Sequence, residues 1–337
     1  MYLEFYNLAG MPFQLTPDSR FFFGSQQHKK AMAFLNYGIS QGEGFVVVTG
    51  EVGAGKTTLV EHLLATLDPS EYVSGRVVTT QLGSYDMLCM IGSALNLYSE
   101  GMDKASLLIR ITQFFSDMRN QGKRVLLIVD EAQSLSTEAI EELRMLSNLA
   151  IGRSAPFQGI LLGQPEFRTV LSTTGLEQFR QRVTASYHLG ALTADDTRRY
   201  IEHRLQHVGW ADDPRFADGA FAQIFRHTSG IPRRINTLAS RLLLLGYLEE
   251  THEITEKMVN DVAEELTKEL GGVPTGNGAS LRSTSALRGD GNPLRPQNGD
   301  GQGHRLERLE DRVDRHDRAI NRAFDIALRY LPNLGDS

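Results

Sequence analysis

Short, unbroken apolar runs alternate with longer segments of helical spacing over the first half of the chain. The runs fall at 45–49, 76–80, 124–129, 159–162 and 187–189, and the helical segments include 58–67, 107–119 and 137–149. A strand that is apolar at successive positions must be covered on both faces, so this alternation predicts a parallel α/β sheet with helices on both sides over residues 1–190. The strand pattern then stops. Thr193, followed three positions later by Asp196, predicts a capped helix running to His207. By the same rules Asp213-Pro214 is expected to open a second helix, and Pro232 and Thr255 two more, which makes 191–270 a small all-α lid.

The remainder reads differently. Residues 271–303 hold nine glycines and three prolines with few large apolar side chains, too little burial to offset ordering, and are expected to form a disordered linker. Residues 304–337 return to helical spacing, with Leu306, Leu309, Val313, Ile320, Ala323 and Ala327 near a heptad. An amphipathic helix follows, either solvated or paired in a short coiled coil that His316 would weaken. Membrane-surface binding is disfavoured, because seven arginines are offset by six acidic residues over 304–331.

Charge and cysteine content narrow the classes. Lys and Arg number 35 against 41 for Asp and Glu, so a surface that grips nucleic acid all over is excluded, although a local basic stripe is not. The single cysteine, Cys89, excludes an internal disulfide and any Cys-based zinc site, and it is expected to be a buried thiol on an apolar helix. No apolar run approaches the ~18 residues needed to cross a bilayer, and the first residues lack a basic leader. A cytoplasmic protein is expected, with peripheral attachment at the inner membrane as the alternative.

The strongest chemical signal is Gly50-Glu51-Val52-Gly53-Ala54-Gly55-Lys56-Thr57, which matches G-x-x-x-x-G-K-[ST] between an apolar strand and a helix. Three glycines let the backbone curl with its N–H groups turned toward phosphate oxygens, and the helix that continues through Thr58 adds its positive end. Lys56 is expected on the β- and γ-phosphates of ATP, and Thr57 on Mg²⁺. A second strand runs into Asp130-Glu131-Ala132-Gln133, which puts adjacent carboxylates beside that loop. Asp130 is the expected Mg²⁺ partner and Glu131 the general base for water. His203 and His207 lie four apart on one helix but have no evident third ligand, so a surface pair is favoured over a metal site.

A helicase would need a second sheet domain after the box at 130–133, whereas only the 80 helical residues 191–270 follow. A P-loop sheet followed by a helical lid instead resembles the AAA+ ATPases. That resemblance implies a sensor at Gln164, after the strand 159–162. It also implies an arginine finger offered to a neighbouring subunit, at Arg180 or Arg182, and a lid sensor at Arg233 within Gly230-Ile231-Pro232-Arg233. His28 stands where such proteins contact adenine. Phe5-Tyr6, Pro12-Phe13, Phe21-Phe22-Phe23 and Leu162-Gly163-Gln164-Pro165-Glu166 add a closer likeness, to the secretion-pathway protein A family, over about residues 1–268.

Secretion-type members carry a transmembrane helix and a peptidoglycan-binding domain after the ATPase. Neither is expected here, which aligns the chain with the short form from exosortase loci. The resemblance implies ATP hydrolysis with Mg²⁺, self-association that extends to a ring, and cell-envelope secretion or export machinery as partner. Two other classes stay open. One is a DNA-transaction helper using Arg198, Arg199, Arg204, Arg233, Arg234 and Arg241, which the acidic charge disfavours. The other is a slow, nucleotide-operated assembly switch.

Overall fold

A computed structural model describes residues 2–269 apart from 17, 79–82, 99–100 and 150–154, so the expected linker (271–303) and terminal helix (304–337) lie outside the described residues. Five parallel strands form the sheet: β1 (Phe45–Gly50), β2 (Tyr72–Val78), β3 (Arg124–Asp130), β4 (Gln158–Gly163) and β5 (Val183–Leu189), in the order β2-β3-β4-β1-β5. Each apolar run resolves into two faces. Phe45, Val47, Val125, Leu127, Val129 and Leu161 enter one core, while Val46, Val48, Leu126, Ile128, Ile160 and Leu162 enter the other. Strands buried on both sides have no polar face to show, which is why the runs are unbroken.

Helices α1 (Tyr2–Phe5), α2 (Gln26–Gln41) and α3 (Lys56–Thr66) come first. Next are α4 (Ser84–Ala94), α5 (Lys104–Asn120), α6 (Thr137–Ser147), α7 (Phe167–Ser172) and α8 (Glu177–Arg180). Leu35, Ile39, Leu59 and Leu63 of α2 and α3 close one face of the sheet, and Met87, Ile91, Leu107, Ile111, Ile140 and Leu143 of α4–α6 close the other. Side-chain caps set the starts of three of these helices: Ser25, Asp103 and Ser136 each accept a backbone N–H from the first turn of α2, α5 and α6. Cys89 lies on α4 as expected but is half-buried, because it flanks the fully buried Met87, Leu88 and Ile91 at the edge of that face.

The second half is helical: α9 (Ala194–Gln206), α10 (Asp218–Thr228), α11 (Pro232–Leu248) and α12 (Glu256–Glu269). Thr193 caps α9 through Asp196 N at 3.1 Å, and Pro232 is the first residue of α11. The expectation at Asp213-Pro214 fails. That peptide is cis, and the next two residues form β6 (Arg215–Phe216), a parallel ladder with β7 (Glu253–Ile254). The helix starts only at Asp218, so a cap-and-proline signal was overridden by strand pairing, and the expected all-α lid carries a small ladder.

The beginning of the chain packs into this helical core and not against the sheet. Tyr6, Leu8 and Phe13 are buried with Leu205, Ile224, Ile235 and Leu242, Tyr6 Oη donates to Thr251 O at 3.0 Å, and Ala9 N donates to Val208 O at 2.8 Å. Burying Leu8 and Phe13 contributes ~1.5–3 kcal/mol each, enough to hold the segment in place. Among the described residues no helix is long and apolar enough to cross a membrane.

Candidate functional site

β1 delivers the chain at Gly50 to the carboxyl edge of the sheet, where α3 begins at Lys56. The loop between them needs glycine at two places. Gly53 has φ 81° and Gly55, the residue before α3, φ 98°, both left-handed. A Cβ on Gly53 would lie 2.3 Å from Arg233 Cβ, and one on Gly55 would lie 3.0 Å from His28 Nε2. Glu51 and exposed Val52 form the outer turn, while Ala54 is buried and pins the loop to the core below. Lys56 Nζ donates to Gly50 O at 2.7 Å and Glu51 O at 3.1 Å, which keeps the cation inside the cradle. Burial lowers its pKa, against the pull of the nearby Glu131, Asp130, Glu51 and Glu166.

The neighbouring residue faces the carboxylates. Thr57 Oγ1 donates to Asp130 Oδ2 at 2.9 Å, across 73 residues of chain. The same oxygen takes Arg76 Nη2 at 2.7 Å, and Arg76 Nη1 reaches Glu61 on α3 at 3.2 Å. β2 and β3 pair with Arg76 beside Ile128 and Val78 beside Asp130, so Arg76 shares a face with Asp130 one pleat below it. Nothing in the local sequence announces that pairing, and Arg76 was not foreseen. Glu131 sits just past β3 at φ 53°. Its Oε2 accepts Gln133 Nε2 at 2.6 Å and Gln164 Nε2 at 3.3 Å, which brings the expected base and the expected sensor together.

These groups border a cavity of about 310 Å³, lined by Lys56, Thr57, Thr58 and Glu131 on one side and by Phe21, Phe22, Phe23, Tyr200, Arg204 and Asn236 among others. Arg204 is buried, stacks on the Phe21 ring at 4.8 Å, and donates through Nη1 to Tyr200 Oη at 2.7 Å. Tyr200 Oη donates in turn to Asn236 Oδ1 at 2.8 Å, and Asn236 Nδ2 donates to Gln14 O at 3.3 Å. A chain of donors therefore ties α9 and α11 to the segment before α2. Of this wall the sequence marks the Phe21–Phe23 triplet, within a family likeness, and Arg204, as a DNA candidate; their meeting here depends on contacts between distant segments.

His28 also lines the cavity, buried beneath the loop with Nδ1 2.7 Å from Ser25 Oγ and its ring edge-on to Phe22. Burial pushes its pKa down to about 4, although Asp196 pulls the other way. Arg233 lines the cavity and gives its backbone N–H to Gly53 O at 3.2 Å, so the first turn of α11 rests on the cradle. Arg180 Nη1 donates to Leu171 O at 2.7 Å, and Arg182 donates to Asn148 Oδ1; neither borders this cavity.

The other candidates are accounted for by ordinary contacts. His203 and His207 lie 4.6 Å apart ring to ring, and among the described residues no cluster of three or more His, Cys, Asp or Glu could hold a metal. Arg198 pairs with Glu202 and Asp218, Arg199 with Asp195 and Asp196, and Arg241 with Glu269. With Arg204 buried, four of the six arginines considered for DNA are engaged within the fold.

For Mg²⁺, the donors present are one hydroxyl and one carboxylate, Thr57 and Asp130, already within 2.9 Å of each other. Two hard oxygen ligands beside a phosphate cradle suit an ion that keeps several waters and phosphate oxygens, so the residues fit it.

Residues 39–171 match a family described as an AAA domain. Among solved structures, similarity extends to Cdc6p of Pyrobaculum aerophilum, with TM-score 0.58 and 15% identity over 77% of this chain and 75% of that one. It extends also to the ORC2 protein of Aeropyrum pernix in its ADPNP and ADP complexes, with TM-score 0.56 and 17% identity over 74% and 70%. At such identities the likeness is one of fold. The cradle at 50–57 and the carboxylates at the end of β3 both lie within the residues that match the AAA domain. The chain is also similar to general secretion pathway protein A of Aeromonas hydrophila, at 35% identity over 268 residues, 79% of this chain. The chain spans about half the length of that relative (49%).

Proposed function

We propose that this chain is an Mg²⁺-dependent ATPase that drives or switches a cell-envelope secretion or polysaccharide-export system of the exosortase type. Lys56, Thr57 and Glu131 border one cavity, with Asp130 bonded to Thr57, and this convergence carries the reading. In the proposed reaction, cradle amides and Lys56 hold the phosphates. Water gives a proton toward Glu131 as its oxygen bonds to the γ-phosphorus. The bond to the β–γ bridging oxygen breaks, and ADP and phosphate leave. Mg²⁺ held at Thr57 and Asp130 would neutralise charge on the phosphate oxygens. Gln164 and Arg233, both beside the site, report phosphate occupancy to the lid.

Arg180 or Arg182, neither of which borders its own cavity, serves a neighbouring copy, so self-association is part of the proposal. Relationship to a secretion-pathway protein supports the envelope role. Glu131→Gln is expected to retain ATP affinity and to lose turnover by ~10²–10⁴ in a phosphate-release assay. Undiminished hydrolysis by that variant would remove the base, and a wild-type chain with no affinity for ATP and Mg²⁺ would remove the reading altogether. Salt-dependent binding to duplex DNA, with no effect of nucleotide on assembly, would replace the envelope role by the DNA-helper one.

A further inference from the structure

Glu131 adopts its left-handed backbone just before a 3-10 turn over Ala132–Ser134. Ala132 is fully buried and anchors that turn, which carries the next side chain back over the carboxylate. Gln133 Nε2 donates to Glu131 Oε2 at 2.6 Å, the shorter of the two amide bonds to that oxygen. The far end of the same amide is fixed separately, because Gln133 Oε1 accepts the backbone N–H of Gln164 at 2.9 Å. A backbone N–H can only donate, so the amide cannot be turned round. Its oxygen must face Gln164 and its NH₂ must face Glu131. The carboxylate is thereby strutted from the end of β4, while the Gln164 side chain adds only the longer bond, at 3.3 Å.

We propose that Gln133 is a positioning residue for hydrolysis, acting through Glu131. The strut is fastened to the backbone of Gln164 and not to its side chain. It therefore keeps the carboxylate aimed when that side chain turns to the γ-phosphate. This rests on the ATPase reading above. A carboxylate released from such a hold loses its line to the attacking water, and a displacement on the order of 1 Å costs up to ~10²-fold in rate.

The test measures turnover and the affinity for a fluorescent ATP analogue, with Mg²⁺, in the full chain. Gln133→Leu is expected to lower kcat by ~10–50-fold with affinity changed less than about twofold. Gln133→Glu keeps an acceptor for Gln164 N–H but replaces the donor that faces Glu131. It should lose as much turnover with its melting temperature retained, and it carries the test should the leucine variant fail to fold. In a Glu131→Gln background, Gln133→Leu should cost less than about twofold more, since its effect passes through the residue already changed. Wild-type kcat in both Gln133 variants, or an equal loss in the Glu131→Gln background, would overturn the strut and leave the ATPase reading standing. A wild-type chain that binds ATP without hydrolysing it overturns both.

Discussion

One wall of the cavity comes from a single stretch, Val52 to Thr58, and the end of one strand; the facing wall takes Gln14, Phe21, Tyr200, Arg204 and Asn236 from three separate segments. The first wall works through backbone, with two left-handed glycines and a helix start giving it shape. The second works through side chains that hand hydrogen bonds from one element to the next. A wall built of backbone depends on a few local residues, whereas a relay of side chains depends on the packing of everything around it. The two meet at His28, beneath Gly55 and against Phe22.

That junction gives the largest expected effect of substitution outside the reacting groups. Burial disfavours the His28 imidazolium, so the unfolded chain takes the proton first. Stability is then intact above about pH 6.5 and is lost as pH falls toward about 4. The loss approaches ~3 kcal/mol from this group, and His28→Gln should flatten that part of a denaturation midpoint-against-pH curve. If the slope survives the substitution, the two walls do not depend on each other at this point.

Tyr200→Phe is next. It removes the hydroxyl between Arg204 and Asn236 and leaves both without that bond in a buried place. The expected cost is ~1–3 kcal/mol in chemical denaturation, with faster amide exchange around Gln14. A cost near zero would show that apolar packing alone holds the second wall. The smallest effect belongs to the first wall. Arg76→Gln takes a positive charge from Asp130 and should lower the Mg²⁺ concentration needed for nucleotide binding by several-fold, less than tenfold, in a magnesium titration. A higher requirement would mean that Arg76 holds Asp130 in its working position.

The same division explains what could be read from sequence. Gly50 to Thr57 and Asp130-Glu131 are contiguous signals joined to apolar strands, and strands covered on both faces betray themselves by unbroken hydrophobicity. Arg76 reaches Asp130 only because β2 and β3 pair in one particular register, and register is not written in either strand. Gln133 lay within the quoted motif, yet its use depends on the left-handed turn at Glu131 and on where β4 ends. Asp213-Pro214 shows the opposite error. A local helix-start signal gave way to a two-residue ladder with β7, a partner some 40 positions away (Arg215 to Glu253).

The way the early residues are stitched has a practical corollary. Tyr6, Leu8 and Phe13 share their apolar core with α9–α12, and Gln14 is fastened to α11. A dye placed on the solvent-facing Met11, between those anchors, would therefore act as a reporter of the helical half of the molecule. Paired with a second dye on the sheet's outer helices, such as at Ile109 of α5, it would turn a fluorescence ruler into a readout of whether the helical half moves when ATP and Mg²⁺ are added.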